Sequence, residues 1–195
     1  MNAQVSDPAQ GPLAHWHAEH AHFRRLLALL QAQVDLFHAG QQPNYALMVD
    51  IIAYLRDFSD RFHHPREDAA FLCLARHLPD LDLTLARLMQ EHRVIAYAGE
   101  SLRKMLEAVV DGAVVARGEI EAAASTYLVY YRGHIAREED GVLDHAAEQL
   151  TPEDWETVRA AAPAGPDPLV APDSPGRYRE LRRHIALEAP TPRDR

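Results

Sequence analysis

The chain has 195 residues, enough for one large domain, or a domain with an appendage, to bury a core without disulfides. Its 29 acidic and 20 basic residues leave a net charge of −9, so the basic footprint that phosphate backbones need is missing and nucleic acid is not expected as a partner. Twelve His stand against one Cys, which excludes disulfide scaffolds, thiolate zinc sites and iron–sulfur cages held by this chain alone.

Residues 1–12 are polar and read as an irregular N-terminus, with no basic segment followed by an apolar one. No run of eighteen apolar residues occurs anywhere, so a cytoplasmic protein without a membrane partner is expected. The first helix is predicted from Leu13, Trp16, His20, Phe23, Leu27, Leu30, Val34 and Phe37, which alternate steps of three and four. Ala39-Gly40-Gln41-Gln42-Pro43 ends it. A second helix follows from about Asn44 to Arg76, with Met48, Ile52, Leu55, Phe62, Phe71 and Leu74 on or beside its stripe. Pro65 removes one backbone hydrogen bond inside it and predicts a local distortion. Cys73 reads as a small buried hydrophobe.

Beyond Pro79, Leu81, Leu85, Leu88, His92, Ile95, Gly99, Leu102, Leu106 and Val109 predict a third helix ending near Asp111-Gly112. Ile120, Ala124, Tyr127, Tyr131, His134, Glu138, Gly141 and His145 predict a fourth, whose start relative to Gly118 stays open. The expected fold is all-α, an antiparallel up-down-up-down four-helix bundle over residues 13–150. A proline-rich C-terminal extension over 151–195 should pack on or near it, with a short helix opened by Thr151-Pro152 and another over about 174–187.

Polar residues in register with an apolar stripe are forced inward. His20, His92, His134 and Glu138 occupy such slots, and His63 with Glu67 continues the line set by Ile52 and Leu55. Counted from the turns at Gln41, Pro79 and Gly112, all six fall within about one helical turn of the same height. Buried carboxylates among imidazoles are costly unless something pairs them, and metal ions do so. The pattern also repeats. Glu19-His20 precedes His63-x-x-x-Glu67 by 43 residues, and Glu91-His92 precedes His134-x-x-x-Glu138 by 42. Two His and one carboxylate from each half suit a pair of metal ions, with iron fitting well and manganese or zinc as competitors.

On Glu19-His20, Phe62-His63-His64-Pro65-Arg66-Glu67-Asp68, Glu91-His92 and His134-Ile135-Ala136-Arg137-Glu138-Glu139, the chain resembles the hemerythrin-like, or HHE cation-binding, family of four-helix-bundle di-iron proteins. The resemblance implies two Fe ions bridged by Glu67, Glu138 and an oxo or hydroxo group. His20 and His63 would cap one iron, His92 and His134 the other. The implied partner is a small diatomic or peroxo ligand, O2, NO or peroxide, for sensing, storage or redox stress response. One departure stands out: the oxygen carriers have a further His one turn from the third-helix ligand, where this chain has Leu88 and Ala96. If no other group fills the gap, one iron has an extra exchangeable position, which favours reactivity over simple oxygen carriage.

His15, His17, His22, His64, His77 and His184 lie off the stripe or outside the bundle and are expected at the surface or in loops. A helix turns about 100° per residue, so only one of His63 and His64 should face inward. His145 is read as buried or end-capping. Trp16, Tyr127, Tyr130 and Tyr131 are assigned to ordinary packing near the ligands. Two alternatives accompany the leading reading. One is a di-iron enzyme of peroxide decomposition or NO reduction, with iron donation for cluster repair ranked below. The other is a metal-free or zinc-stabilised interaction bundle. A homodimer is left open.

Overall fold

A computed structural model describes residues 12–162, 167, 169 and 176–188, and every regular element among them is helical. The helices are α1 (Pro12–His38), α2 (Tyr45–Tyr54), α3 (His64–His77), α4 (Asp82–Val110), α5 (Arg117–Arg137), α6 (Leu143–Gln149), α7 (Pro152–Ala160) and α8 (Gly176–Glu188). The expectations for residues 1–11, for most of 163–175 and for 189–195 lie outside the described residues.

Helix ends follow local chemistry. The Asn44 side chain accepts the Leu47 backbone N–H at 3.0 Å and opens α2. Gly118 falls inside α5, settling the start of the fourth helix. Thr151 and Asp154 form a reciprocal capping box at the start of α7, with Pro152 at its first position.

Two departures from regular winding matter. Between α2 and α3 the chain continues without a break as a π-helical segment, Leu55–His63, in which the His64 N–H reaches back five residues to the Ser59 carbonyl. Pro65, in the first turn of α3, has no N–H to offer and its ring crowds the carbonyl four residues earlier, so the backbone widens just before it. Between α5 and α6, Asp140 and Gly141 leave helical geometry, with Gly141 at φ +97°. That region of φ is open to glycine without a Cβ clash. The predicted fourth stripe therefore breaks: Gly141 is a kink, and His145, read as buried or end-capping, is exposed rather than buried because α6 restarts in a different phase.

α1 packs against α2 and α5, α4 packs against α2, α3 and α5, and α8 lies on α1 and α2. α7 sits on α3. The buried apolar side chains separate into two groups. One, around Phe23, Leu27, Met48, Ile52, Ile95, Tyr127 and Tyr131, also takes Leu169, Tyr178 and Leu181 from the C-terminal region. The other, around Trp16, Phe71, Leu74, Leu85, Leu88 and Leu143, takes Val158 of α7. His20, His63, Glu67, His92 and Glu138 fall between these groups along their helical segments, and His134 lies at the edge of the first, so a polar layer divides an otherwise apolar core. Cys73 is buried, as are Trp16, Tyr127 and Tyr131, whereas Tyr130 is exposed.

Candidate metal centre

The structure brings His20, His63, Glu67, His92, His134 and Glu138 together, and all six are buried. Glu67 lies between the two halves. Its oxygens are 3.2 Å from His20 Nε2, 3.0 Å from His63 Nε2 and 3.5 Å from His92 Nε2. Glu138 mirrors it at 2.9 Å from His134 Nε2, 3.3 Å from His92 Nε2 and 3.4 Å from His20 Nε2. His20 and His63 approach Nε2 to Nε2 at 3.0 Å, while the rings of His92 and His134 are 4.5 Å apart.

Each of the four imidazoles turns Nε2 inward because a carboxylate holds its Nδ1. Glu19 of α1 accepts from His63 at 2.6 Å, and Asp68 of α3 from His92 at 2.7 Å. Glu91 of α4 lies 3.2 Å from His134 Nδ1, and Glu139, after α5, lies 3.1 Å from His20 Nδ1. These contacts form a closed circuit in which each helical segment supplies a carboxylate to the next one's histidine. Arg66 anchors Glu19, Arg137 anchors Glu91 and Arg24 anchors Glu139. Imidazoles that ligate metals are held in this way, which fixes the tautomer and raises the basicity of the inner nitrogen. The motif pairs Glu19-His20 and Glu91-His92 are visible in the sequence, but which histidine each glutamate serves depends on helices crossing in space.

The electrostatics show what the layer needs. Burial pushes the His63 imidazole down, but Glu67 and Glu19 outweigh it and hold it up at about 9. His92 is likewise held well above the ordinary histidine range, burial being overcome by Asp68, Glu138 and Glu67. Glu67, despite burial, is held well below the usual carboxylate range, chiefly by His63. The metal-free molecule thus uses protons as cations inside the layer. Even so, both oxygens of Glu67, Oε2 of Glu138 and Nε2 of His134 are buried without a well-formed hydrogen bond. Orphaned acceptors of this kind are rare in folded proteins, and a donor set of imidazoles and carboxylates fits first-row metal ions.

His64 corrects the expectation that it lies outside the core. It is 4% exposed and stacks on His92 with 4.1 Å between ring centres. A π-helical turn advances fewer degrees per residue than an α-helical one, so His63 and His64 both turn inward across the junction. Ligating-type atoms of His20, His63 and Glu67 lie within 4.8 Å of one another, and so do those of His64, Glu67, His92 and His134. The histidines assigned to the surface otherwise fall there or at the edge: His15 and His17 are exposed, and His77 pairs with Asp154 at 2.8 Å. His22 is half-buried against the Tyr54 ring.

An all-helical protein whose core carries a buried His and carboxylate layer with unpaired donor atoms has the features of a metal-ion-binding helical protein. The family model of the hemerythrin HHE cation binding domain matches residues 11–146, and the chain belongs to that family. The match ends before α7 and α8. Comparison with curated proteins gives no match, and comparison with solved structures gives none either. Among the described residues, no helix is long and apolar enough to cross a membrane.

Proposed function

We propose that the chain is a non-haem di-iron protein that binds O2, NO or peroxide in sensing, storage or redox stress response. In this reading the four long helical segments form an antiparallel up-down-up-down bundle over residues 13–150, and residues 151–195 pack on it as an extension. His20 and His63 would hold one iron, His92 and His134 the other, with Glu67 and Glu138 shared by both. Zinc or manganese are the competing occupants.

The observation that carries the proposal is the closed circuit of four carboxylates on four Nδ1 atoms, which turns four Nε2 atoms inward onto two buried carboxylates and leaves both Glu67 oxygens, Glu138 Oε2 and His134 Nε2 without a well-formed hydrogen bond. Bound iron supplies reversible redox chemistry and an exchangeable position for a small ligand. The chain's own residues set the conditions: the circuit fixes each imidazole, and the buried rings of Phe23, against His63, and Phe71, against His92, keep bulk water away. No second imidazole comes from α4, where the positions one turn either side of His92 are Leu88 and Ala96. Wherever the protein side chains leave a metal position open an exogenous ligand can enter, which supports reactivity, including peroxide decomposition or NO reduction, beside carriage.

The test is metal content per chain with absorption spectra before and after oxygen is admitted to the reduced protein. Two irons and a new charge-transfer band are expected. Zinc alone, or no metal, would support an interaction bundle instead.

A further inference from the structure

We propose that His64 is a fifth imidazole ligand, serving the position held by His92 and His134, so that the imidazole missing from α4 is supplied from the π-helical junction before α3. The inference rests on the di-iron reading and adds a ligand to one side of it.

Three observations place His64 there. First, a ring nitrogen of His64 shares a 4.8 Å neighbourhood with donor atoms of Glu67, His92 and His134, whereas His20 and His63 form a separate group with Glu67. Second, its ring stacks on His92 at 4.1 Å, nearer than either its chain neighbour His63 at 5.7 Å or His134, met edge-on, at 5.8 Å. Third, a carboxylate stands beside Nδ1 here too, although at a longer distance than in the other four and without a hydrogen bond. Asp60 Oδ1 lies 3.4 Å from His64 Nδ1, and both Asp60 oxygens are buried without a hydrogen bond. A carboxylate beside Nδ1 leaves Nε2 as the ligating atom, as at His20, His63, His92 and His134. Its Nε2 is 3.0 Å from Ser59 Oγ, which also bonds the Tyr131 hydroxyl at 2.5 Å. Ligation exchanges that single neutral hydrogen bond for a metal bond.

The assignment also makes the centre unequal. In the internal repeat His63 corresponds to His134, so His64 corresponds to Ile135, a buried apolar residue. One position would therefore be offered three imidazoles and the other two, and the His20/His63 side would keep more room for an exogenous ligand.

The test is anaerobic titration of the full chain with Fe(II), and with Co(II) as a spectroscopic probe. The proteins compared are wild type, His64→Phe and Ser59→Ala. Phenylalanine keeps the stacking volume and removes both nitrogens, whereas Ser59→Ala removes the hydrogen bond and keeps the ligand. Wild type is expected to bind two equivalents. His64→Phe should bind the second at least about 100-fold more weakly, beyond the usual loss for an outer partner, and its Co(II) visible bands should change in intensity. Ser59→Ala should keep both equivalents. Two equivalents of unchanged affinity and unchanged Co(II) bands in His64→Phe overturn the ligand role while leaving the di-iron reading intact. So does an equal loss in Ser59→Ala, which would reduce His64 to a positioning residue. A wild-type chain that binds fewer than two ions overturns the di-iron reading and this proposal with it. Circular dichroism of each metal-free protein separates binding loss from misfolding.

Discussion

Replacing Glu67 by Gln tests the shared-carboxylate role most directly. Its two oxygens face imidazoles of both halves, at 3.0 Å and 3.2 Å on one side and 3.5 Å on the other. One substitution therefore removes a ligand from both positions. Free metal at a thousand times its dissociation constant stabilises a folded protein by about 4 kcal/mol per site. For a chain of this size about 1 kcal/mol moves Tm by roughly 2–4 °C, so each filled position should raise Tm by roughly 8–16 °C. Wild type should show that rise twice over and Glu67→Gln should show almost none. Glu139→Gln, which of the six proposed ligands touches His20 alone, should lose about 1.4–2.8 kcal/mol of metal stabilisation at one position, the cost of a 10- to 100-fold weaker site. The assay is differential scanning calorimetry of metal-free and Fe(II)-loaded protein without oxygen. A Glu67→Gln protein whose Tm rises with metal as far as wild type would refute the shared role.

Three further outcomes follow from the same geometry. Because His63 is held up at about 9, above its unfolded value near 6.5, its stabilisation of the metal-free protein is complete below about pH 6.5 and is lost as pH rises through 9. Metal requires the neutral imidazole, so loading at pH 7 should release protons and affinity should climb between pH 6.5 and 8.5; an affinity flat with pH contradicts this. Burial raises Asp60 from 3.8 to about 7 despite Arg56, so this group's stabilising effect is present below about pH 4 and lost as pH rises to 7. Relative to wild type, metal-free Asp60→Asn should gain about 2–3 kcal/mol between pH 5 and pH 8 in urea unfolding, and a difference that does not vary with pH would count against the buried carboxylate. At Gly141, φ +97° makes Gly141→Ala cost about 1–2 kcal/mol in the same assay although no atom lies near the added Cβ; an unchanged midpoint would mean the kink is not required.

The amino-acid sequence by itself determined the helical segments and which face of each is buried, because the spacing of apolar residues encodes that face directly. His20, His92, His134 and Glu138 were visible as polar intruders on those faces, and His63 with Glu67 as their continuation. Heights counted from the turns sufficed to place them in one layer, since the rise per residue is nearly constant. The same reasoning went astray where winding is not regular. His64 turns inward because a π-helical segment precedes Pro65, and His145 turns outward because Gly141 resets the phase. Only the tertiary structure decided how Glu19, Asp68, Glu91 and Glu139 close their circuit around the histidines. Each of those hydrogen bonds joins residues on neighbouring helical segments, and no periodicity within one helix records what its neighbour presents.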